Sequence, residues 1–254
     1  MAEPGAGPAI GRSRLLTADV ARPADIYGVH GAQGLTHWRC LAGRRDLTGD
    51  WEAVEWASIP PGGLSGEHRH TRTEELYLIL AGEGEFIANG TAHTAYPGRL
   101  LLTGVGSVHG LRNVGGSDLD WLVIEMPTPQ VAARLRGSAP HGWRDGRNNN
   151  MRIGLYDLRE TGAVDPGAVF TGPMRTIELL KLRAGDTRQL RAEDAEHTVF
   201  VLGGSGRAIS GQTTVELVPG SSVTLPLHTW ADLTAGPDGL EVFHAEVAVP
   251  AEVL

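Results

Sequence analysis

Two stretches of this chain repeat each other. The segment EELYLILAGEGEF, which begins at Glu74, aligns with EHTVFVLGGSGRA, which begins at Glu196, and the paired glycines of the two segments fall in register. Around these anchors lie two blocks of short apolar or alternating runs, at about residues 51–126 and 176–249, which Gly-rich turns interrupt. A repeat of this kind predicts a duplicated β unit, with a similar lead-in segment before each copy.

The composition agrees with β architecture. The 35 glycines and 15 prolines among 254 residues indicate many tight turns, and 41% apolar with 20% charged residues is typical of a folded globular chain. The net charge of -8 disfavours binding to a phosphate backbone. No intramolecular disulfide can form from one cysteine, and we find neither a signal-peptide pattern nor an apolar run of about 20 residues. We therefore predict a cytoplasmic protein that binds neither nucleic acid nor membranes.

Four potential metal ligands stand in two glycine-framed segments. They are His68, His70 and Glu75 in GGLSGEHRHTRTEELYLILAG, and His109 in GRLLLTGVGSVHGLRN. Two histidines at i and i+2 of a strand point to the same face with Cα atoms about 6.6 to 7 Å apart, so both imidazoles can reach one ion. Glu75 follows a polar turn, and an adjacent antiparallel strand can bring its carboxylate to the same point. Burying so many polar groups without an ion would be costly, which disfavours the alternative of metal-free surface or core residues.

Three imidazoles and one carboxylate suit Fe(II), Mn(II), Ni(II), Cu(II) or Zn(II). On an octahedral ion these ligands leave two positions for water, dioxygen or a bidentate substrate. We therefore predict one divalent transition metal, with Fe(II) favoured.

The spacing resembles the two signature motifs of the cupin superfamily, G-x5-H-x-H-x(3,4)-E-x6-G and G-x5-P-x-G-x2-H-x3-N. Every defining position matches except one, where Gly104 stands in place of proline. The resemblance implies an all-β fold with two antiparallel jelly-roll barrels in tandem and the ion inside the first barrel. We predict a lead-in and metal-binding barrel over residues 1–130, a linker over 131–150 and a second barrel over 151–254.

The second barrel lacks the ligand set. Alignment on the paired glycines places Leu190, Ala192, His197 and Ala231 in the slots of the four ligands. With the nearby His228, His197 would make at best a weak two-coordinate site. We therefore predict that this barrel stabilises the first barrel or forms an oligomer interface.

Several other side chains are candidates for contact with a substrate. Tyr77 alternates to the same face as Glu75 and is our candidate general acid, with a packing role as the alternative. Glu74 is expected to be solvated or to support the ligands from behind. Arg39 or Arg112 could bind a substrate carboxylate. Further candidates are His37, Trp56, His93 and Trp121 on strands and His141, Trp143 and Arg144 in the linker.

The resemblance leaves the reaction open because the cupin fold hosts many activities. The complete ligand set favours a metal-dependent enzyme that performs an Fe(II)-type, dioxygenase-like oxidative conversion of a small polar metabolite. The alternatives are an Mn-, Ni- or Zn-dependent isomerase, epimerase or lyase, and a non-enzymatic small-molecule-binding protein. Because cupin enzymes are often dimers, we also expect a homodimer.

Overall fold

The computed structural model describes residues 14–138 and 151–254, and the linker candidates His141, Trp143 and Arg144 lie outside these ranges. Within them the chain forms antiparallel sheets with two short α-helices, and no helix is long and apolar enough to cross a membrane. The strands are β1 (Leu16–Asp19), β2 (Ala24–Tyr27), β3 (Leu35–Gly43), β4 (Ala53–Ile59), β5 (Leu64–Arg69), β6 (Thr73–Ala81), β7 (Gly84–Ala88), β8 (Thr91–Ala95), β9 (Arg99–Thr103), β10 (Val108–Asn113), β11 (Leu119–Pro127), β12 (Ile153–Asp157), β13 (Ala163–Val164), β14 (Met174–Leu182), β15 (Thr187–Arg191), β16 (Ala195–Ser210), β17 (Thr213–Leu217), β18 (Ser221–Leu225) and β19 (Trp230–Ala248), and the helices are α1 (Pro129–Leu135) and α2 (Leu158–Thr161).

The first barrel consists of two sheets that face each other. One has the strand order β12-β9-β6-β11-β4-β3-β2 and the other the order β5-β10-β7-β8. Alternating apolar side chains of both sheets meet in a buried cluster that includes Ile79, Phe86, Leu111 and Trp121.

The second barrel is built around two long strands, β16 and β19, which belong to one sheet with β1, β18, β14, β13, β15 and β17. The pairing of β16 with β19 shifts register around Gly204, which has φ +72°. A Cβ atom at Gly204 would lie 2.2 Å from the carbonyl oxygen of Gly239, so only glycine fits this bend. The predicted all-β fold with antiparallel barrels of jelly-roll type is confirmed.

The first strand of each lead-in segment is exchanged between the barrels. Strand β1 precedes the first barrel in sequence but pairs with β18 of the second, with Leu16 opposite Thr224. Strand β12 precedes the second barrel but pairs with β9 of the first, with Ile153 opposite Thr103. The domain boundaries at 130 and 151 stay a prediction, and strand pairs cross them in both directions.

This exchange accounts for the missing motif proline. The backbone N–H of Gly104 donates to the carbonyl oxygen of Arg152, just before β12, at 2.9 Å. Proline has no N–H and could not make this bond. A Cβ atom at Gly104 would also come within 3.1 Å of the carbonyl oxygens of Arg152 and Val169. Glycine at this position therefore allows the second lead-in to approach the first barrel.

Each barrel contains one buried glutamate that accepts hydrogen bonds from a loop leading into the opposite barrel. Glu74 accepts hydrogen bonds from the backbone N–H groups of Thr171 (2.8 Å) and Gly172 (2.7 Å), just before β14. Its repeat partner Glu196 accepts from the N–H groups of Thr48 (2.9 Å) and Gly49 (2.8 Å), before β4. The expectation that Glu74 is solvated or supports the metal ligands is wrong, because Glu74 is buried and bound to this loop.

A large apolar core fills the space between the barrels. It combines Trp56, Leu78 and Leu122 of the first block with Phe200 and Phe243 of the second. Burial of such side chains from water contributes roughly 1.5 to 3 kcal/mol for each. The expectation that the second barrel supports the first agrees with this shared core.

Candidate metal centre

The four predicted ligands come together in the first barrel. His68 lies on β5, His70 just beyond its end, Glu75 on β6 and His109 on β10, and one ligand atom from each lies within 4.8 Å of all the others. The antiparallel register of β10 and β5 sets His109 directly opposite His68. Glu75 Oε2 is 2.8 Å from His109 Nε2 and 3.3 Å from His70 Nε2.

Each imidazole is oriented through its outer nitrogen. His68 Nδ1 donates to the carbonyl oxygen of Gly66 at 3.1 Å. His109 Nδ1 lies 2.9 Å from Thr103 Oγ1, and His70 Nδ1 lies 3.4 Å from Thr73 Oγ1. Partners of this kind fix the ring and direct the other nitrogen toward an ion.

The donor set fits a divalent cation. His70 Nε2 and His109 Nε2 face each other at 3.1 Å, and both face the carboxylate of Glu75, in a place where His70, Glu75 and His109 are buried. If the Nδ1 atoms carry the protons, the Nε2 lone pairs and the carboxylate meet without a proton between them. A cation at their common point relieves this repulsion. These four residues could therefore hold a transition-metal ion.

The electrostatics of the group are strongly coupled. Without an ion, burial opposes ionisation of Glu75, but hydrogen bonds that His109 and His70 then donate to it outweigh burial and hold the pKa of Glu75 well below its ordinary range. Burial also opposes protonation of His70, yet its hydrogen bond with Glu75 prevails and raises the His70 pKa. Burial, assisted by His109, lowers the pKa of His68 to about 4. Neutral His68 is the form that can bind a metal ion.

A cavity of about 260 Å³ opens beside the metal group. Its size suits a small molecule, since it is near the lower end of ligand pockets. Burial, helped by the charge of Glu75, raises the pKa of the cavity residue Glu125 to about 7. The lining residues are Val29, His30, Thr36, Trp38, Glu55, Ala57, Ser65, His68, Arg69, His70, Thr71, Arg72, Thr73, Glu75, Tyr77, Trp121, Val123 and Glu125.

Tyr77 lines this cavity, as expected from its alternation with Glu75. It is buried, and its ring centroid is 4.6 Å from that of His109. Burial and the charge of Glu75 raise the pKa of Tyr77 well above its ordinary value, so the phenol keeps its proton. It can donate a hydrogen bond inside the cavity, and its role as general acid stays a prediction.

Among the other strand candidates, Trp121 lines the cavity. His37 and Arg112 lie outside the cavity lining. His37 instead bonds Asp25 at 2.8 Å, and Arg112 forms an ion pair with Glu85 at 2.9 Å. The remaining candidates Arg39, Trp56 and His93 also lie outside the lining.

Sequence reasoning missed several lining residues. Glu125 could have been found, because it alternates with Trp121 and Val123 along one strand. Arg69 and Arg72 border the ligand motif and line the cavity in place of the arginines we had expected. No local sequence pattern indicated that His30, Trp38 and Glu55 would line the cavity.

The second barrel holds no comparable group. Among the described residues, the cluster in the first barrel is the one set of three or more potential ligands that lie close enough to share an ion. Leu190, Ala192 and Ala231 occupy ligand slots as buried apolar residues. His197 bonds His244 at 3.1 Å rather than His228, and His244 Nδ1 bonds Glu178 at 2.8 Å.

This histidine pair predicts acid sensitivity of the second barrel. Burial lowers the pKa of His197, so the unfolded chain binds its proton more readily and stability falls as pH drops below about 6.5. The hydrogen bond from His244 lowers the pKa of Glu178, so stability that is present above about pH 4.3 is lost as pH falls through the folded pKa. We expect Glu178→Gln to flatten the pH dependence of urea unfolding below pH 5. An unchanged slope would contradict this account.

Comparisons with known proteins agree with the fold and the motif. Residues 55–125 match the family model described as a cupin domain. An oxalate-binding protein from Thermotoga maritima is 27% identical over 114 residues, which cover 45% of this chain and 94% of that protein.

Two solved structures share the architecture of nearly the whole chain. Protein Ylba from E. coli has a TM-score of 0.70 at 11% identity, over 95% of this chain and 94% of that one. A salicylate 1,2-dioxygenase from Pseudaminobacter salicylatoxidans has a TM-score of 0.65 at 16% identity, over 96% of this chain and 88% of that one. Residues 55–125 therefore form a cupin domain with a complete metal motif, and the second barrel repeats the β fold with a degenerate motif.

Proposed function

We propose that this protein is an enzyme that oxidises a small polar metabolite with O2. It depends on a metal ion that His68, His70, Glu75 and His109 bind. The convergence of three imidazoles and one carboxylate beside a cavity carries this proposal. When bound, an Fe(II) ion supplies redox chemistry with O2 and leaves positions open for substrate. A dioxygenase reaction places both oxygen atoms in the product and so needs no further reductant.

The lining residues supply binding and orientation. Arg69 and Arg72 can attract an anionic group, and the indoles of Trp38 and Trp121 give the cavity apolar surface that displaces water. The neutral phenol of Tyr77 can donate a hydrogen bond to a substrate oxygen. These features favour a small acid with two oxygen atoms placed to chelate a metal.

The names of similar proteins point to the same substrate class. The relative from Thermotoga maritima is named for oxalate, and the dioxygenase that shares the fold is named for salicylate. Both compounds are small acids with two neighbouring oxygen functions. We extend only this shared chemistry to the present chain.

The test compares metals and atmospheres. Chelator-treated protein is reloaded with Fe(II), Mn(II), Ni(II) or Zn(II) and incubated with a panel of small hydroxy, keto and dicarboxylic acids, in air and without O2. We expect O2 uptake and product with Fe(II) alone, both lost without O2 and in His70→Ala. Anaerobic turnover at an undiminished rate would remove the oxidative reaction.

A non-redox function is the second candidate. Two further carboxyl groups, Glu55 and Glu125, line the cavity and could move protons in an isomerase, epimerase or lyase. The non-redox function would be favoured if turnover with Mn(II), Ni(II) or Zn(II) is independent of O2 and is lost in Glu125→Gln. Ligand binding to metal-loaded protein without any turnover would favour a binding protein instead.

A further inference from the structure

One residue of the first lead-in reaches the metal group. His30 lies in a single 3-10 turn, Val29–Gly31, and its backbone is left-handed with φ 54° and ψ 35°. Such angles are uncommon for a residue other than glycine and are energetically unfavourable. The flanking Gly28 and Gly31 also have positive φ, so the turn depends on this conformation.

Strand β5 holds the turn closely in place. A Cβ atom at Gly66 would lie 2.3 Å from the carbonyl oxygen of His30 and 3.1 Å from the backbone nitrogen of Ala32. His30 Nδ1 lies 3.2 Å from Ser65 Oγ on the same strand. The turn and the ligand strand therefore meet backbone to backbone.

The ring of His30 covers His68. Their centroids are 3.6 Å apart and their planes differ by 21°, which is a stacked arrangement. His68 is the least buried of the four ligands, since the other three are buried and it is only half-buried. The Nδ1 bond to Gly66 and the stacked ring of His30 both reach His68 from outside the ligand group.

We infer that His30 is a positioning residue of the metal centre, which stacks on His68, fixes its ring plane and shields it from water where both residues line the cavity. His30 does not itself belong to the ligand group. Its contact acts on the one ligand that solvent reaches most easily. This role rests on the proposed metal site and explains why a left-handed backbone is kept at residue 30.

The test separates the ring from the backbone. Asparagine tolerates left-handed angles, so His30→Asn keeps the turn and removes the ring, whereas His30→Phe keeps an aromatic ring and removes Nδ1. Co(II) affinity is measured by competition with a chromophoric chelator, together with the visible spectrum of the Co(II) protein. We expect His30→Asn to bind Co(II) about tenfold more weakly with an altered spectrum, as for other residues that support ligands. His30→Phe should restore affinity to within about threefold.

Each outcome has a definite meaning. Unchanged affinity and spectrum in His30→Asn overturn the inference. An equal loss in a His30→Phe protein that unfolds at the same urea concentration as His30→Asn also overturns it, because the turn is then intact and the ring is not the cause. Co(II) binding that is lost in His68→Ala but kept in His30→Asn leaves the metal site standing without this role. A wild-type protein that does not bind Co(II) removes the proposed function and the inference together.

Discussion

Replacing Glu196 by alanine is expected to lower the free energy of unfolding by about 3 to 5 kcal/mol, the cost of breaking a buried charged network. Glu196 is fully buried, and its carboxylate accepts from the backbone N–H groups of Thr48, Gly49 and Leu227 and from the indole N–H of Trp51. Alanine leaves four donors without a partner, three of them buried, and each buried unsatisfied donor costs about 1 to 3 kcal/mol before relaxation. Urea denaturation followed by tryptophan fluorescence measures the loss.

Glu216→Ala is the matched control for this variant. Glu216 lies in the same barrel, is largely exposed and faces Arg207 at 3.8 Å. Exposed pairs contribute about 0 to 1 kcal/mol, so this variant should unfold close to the wild type. If Glu196→Ala loses no more than Glu216→Ala, the buried glutamate does not join the barrels as we describe.

His70→Ala is expected to abolish tight metal binding. Removing one of four ligands that converge within 4.8 Å leaves an incomplete set around the buried carboxylate of Glu75. A metal that binds only the folded state stabilises it by about 2.7 kcal/mol at a concentration of 100 times its Kd. Adding Co(II) to chelator-treated protein should therefore raise the melting temperature of the wild type and leave that of His70→Ala unchanged.

His37→Ala controls for the loss of a histidine as such. His37 lies outside the cavity and bonds the exposed Asp25. This variant should keep the full Co(II)-dependent rise in melting temperature, and elemental analysis should find the same metal content as in the wild type. A rise that survives in His70→Ala would mean that the ion binds elsewhere.

The metal ligands could be predicted from the sequence, whereas the role of the buried glutamates could not. The ligands His68, His70, Glu75 and His109 could be named from spacing alone, because strand alternation and glycine turns are local properties of the chain. The paired glycines used to align the duplicated anchors include Gly82 and Gly204, and both have positive φ. Glu74 was misassigned, since its neighbour Glu75 shares its chemistry and only the partner loop at Thr171 distinguishes them.

The sequence by itself determined the all-β class, the duplication and the four candidate metal ligands, since each follows from periodicity and residue chemistry within a few dozen positions. Only the tertiary structure decided that β1 and β12 change barrels, that Glu196 binds the loop at Thr48, and that His30 covers His68. These contacts join residues that are distant in the chain. Their pairing is selected by the packing of the complete fold rather than by any local pattern.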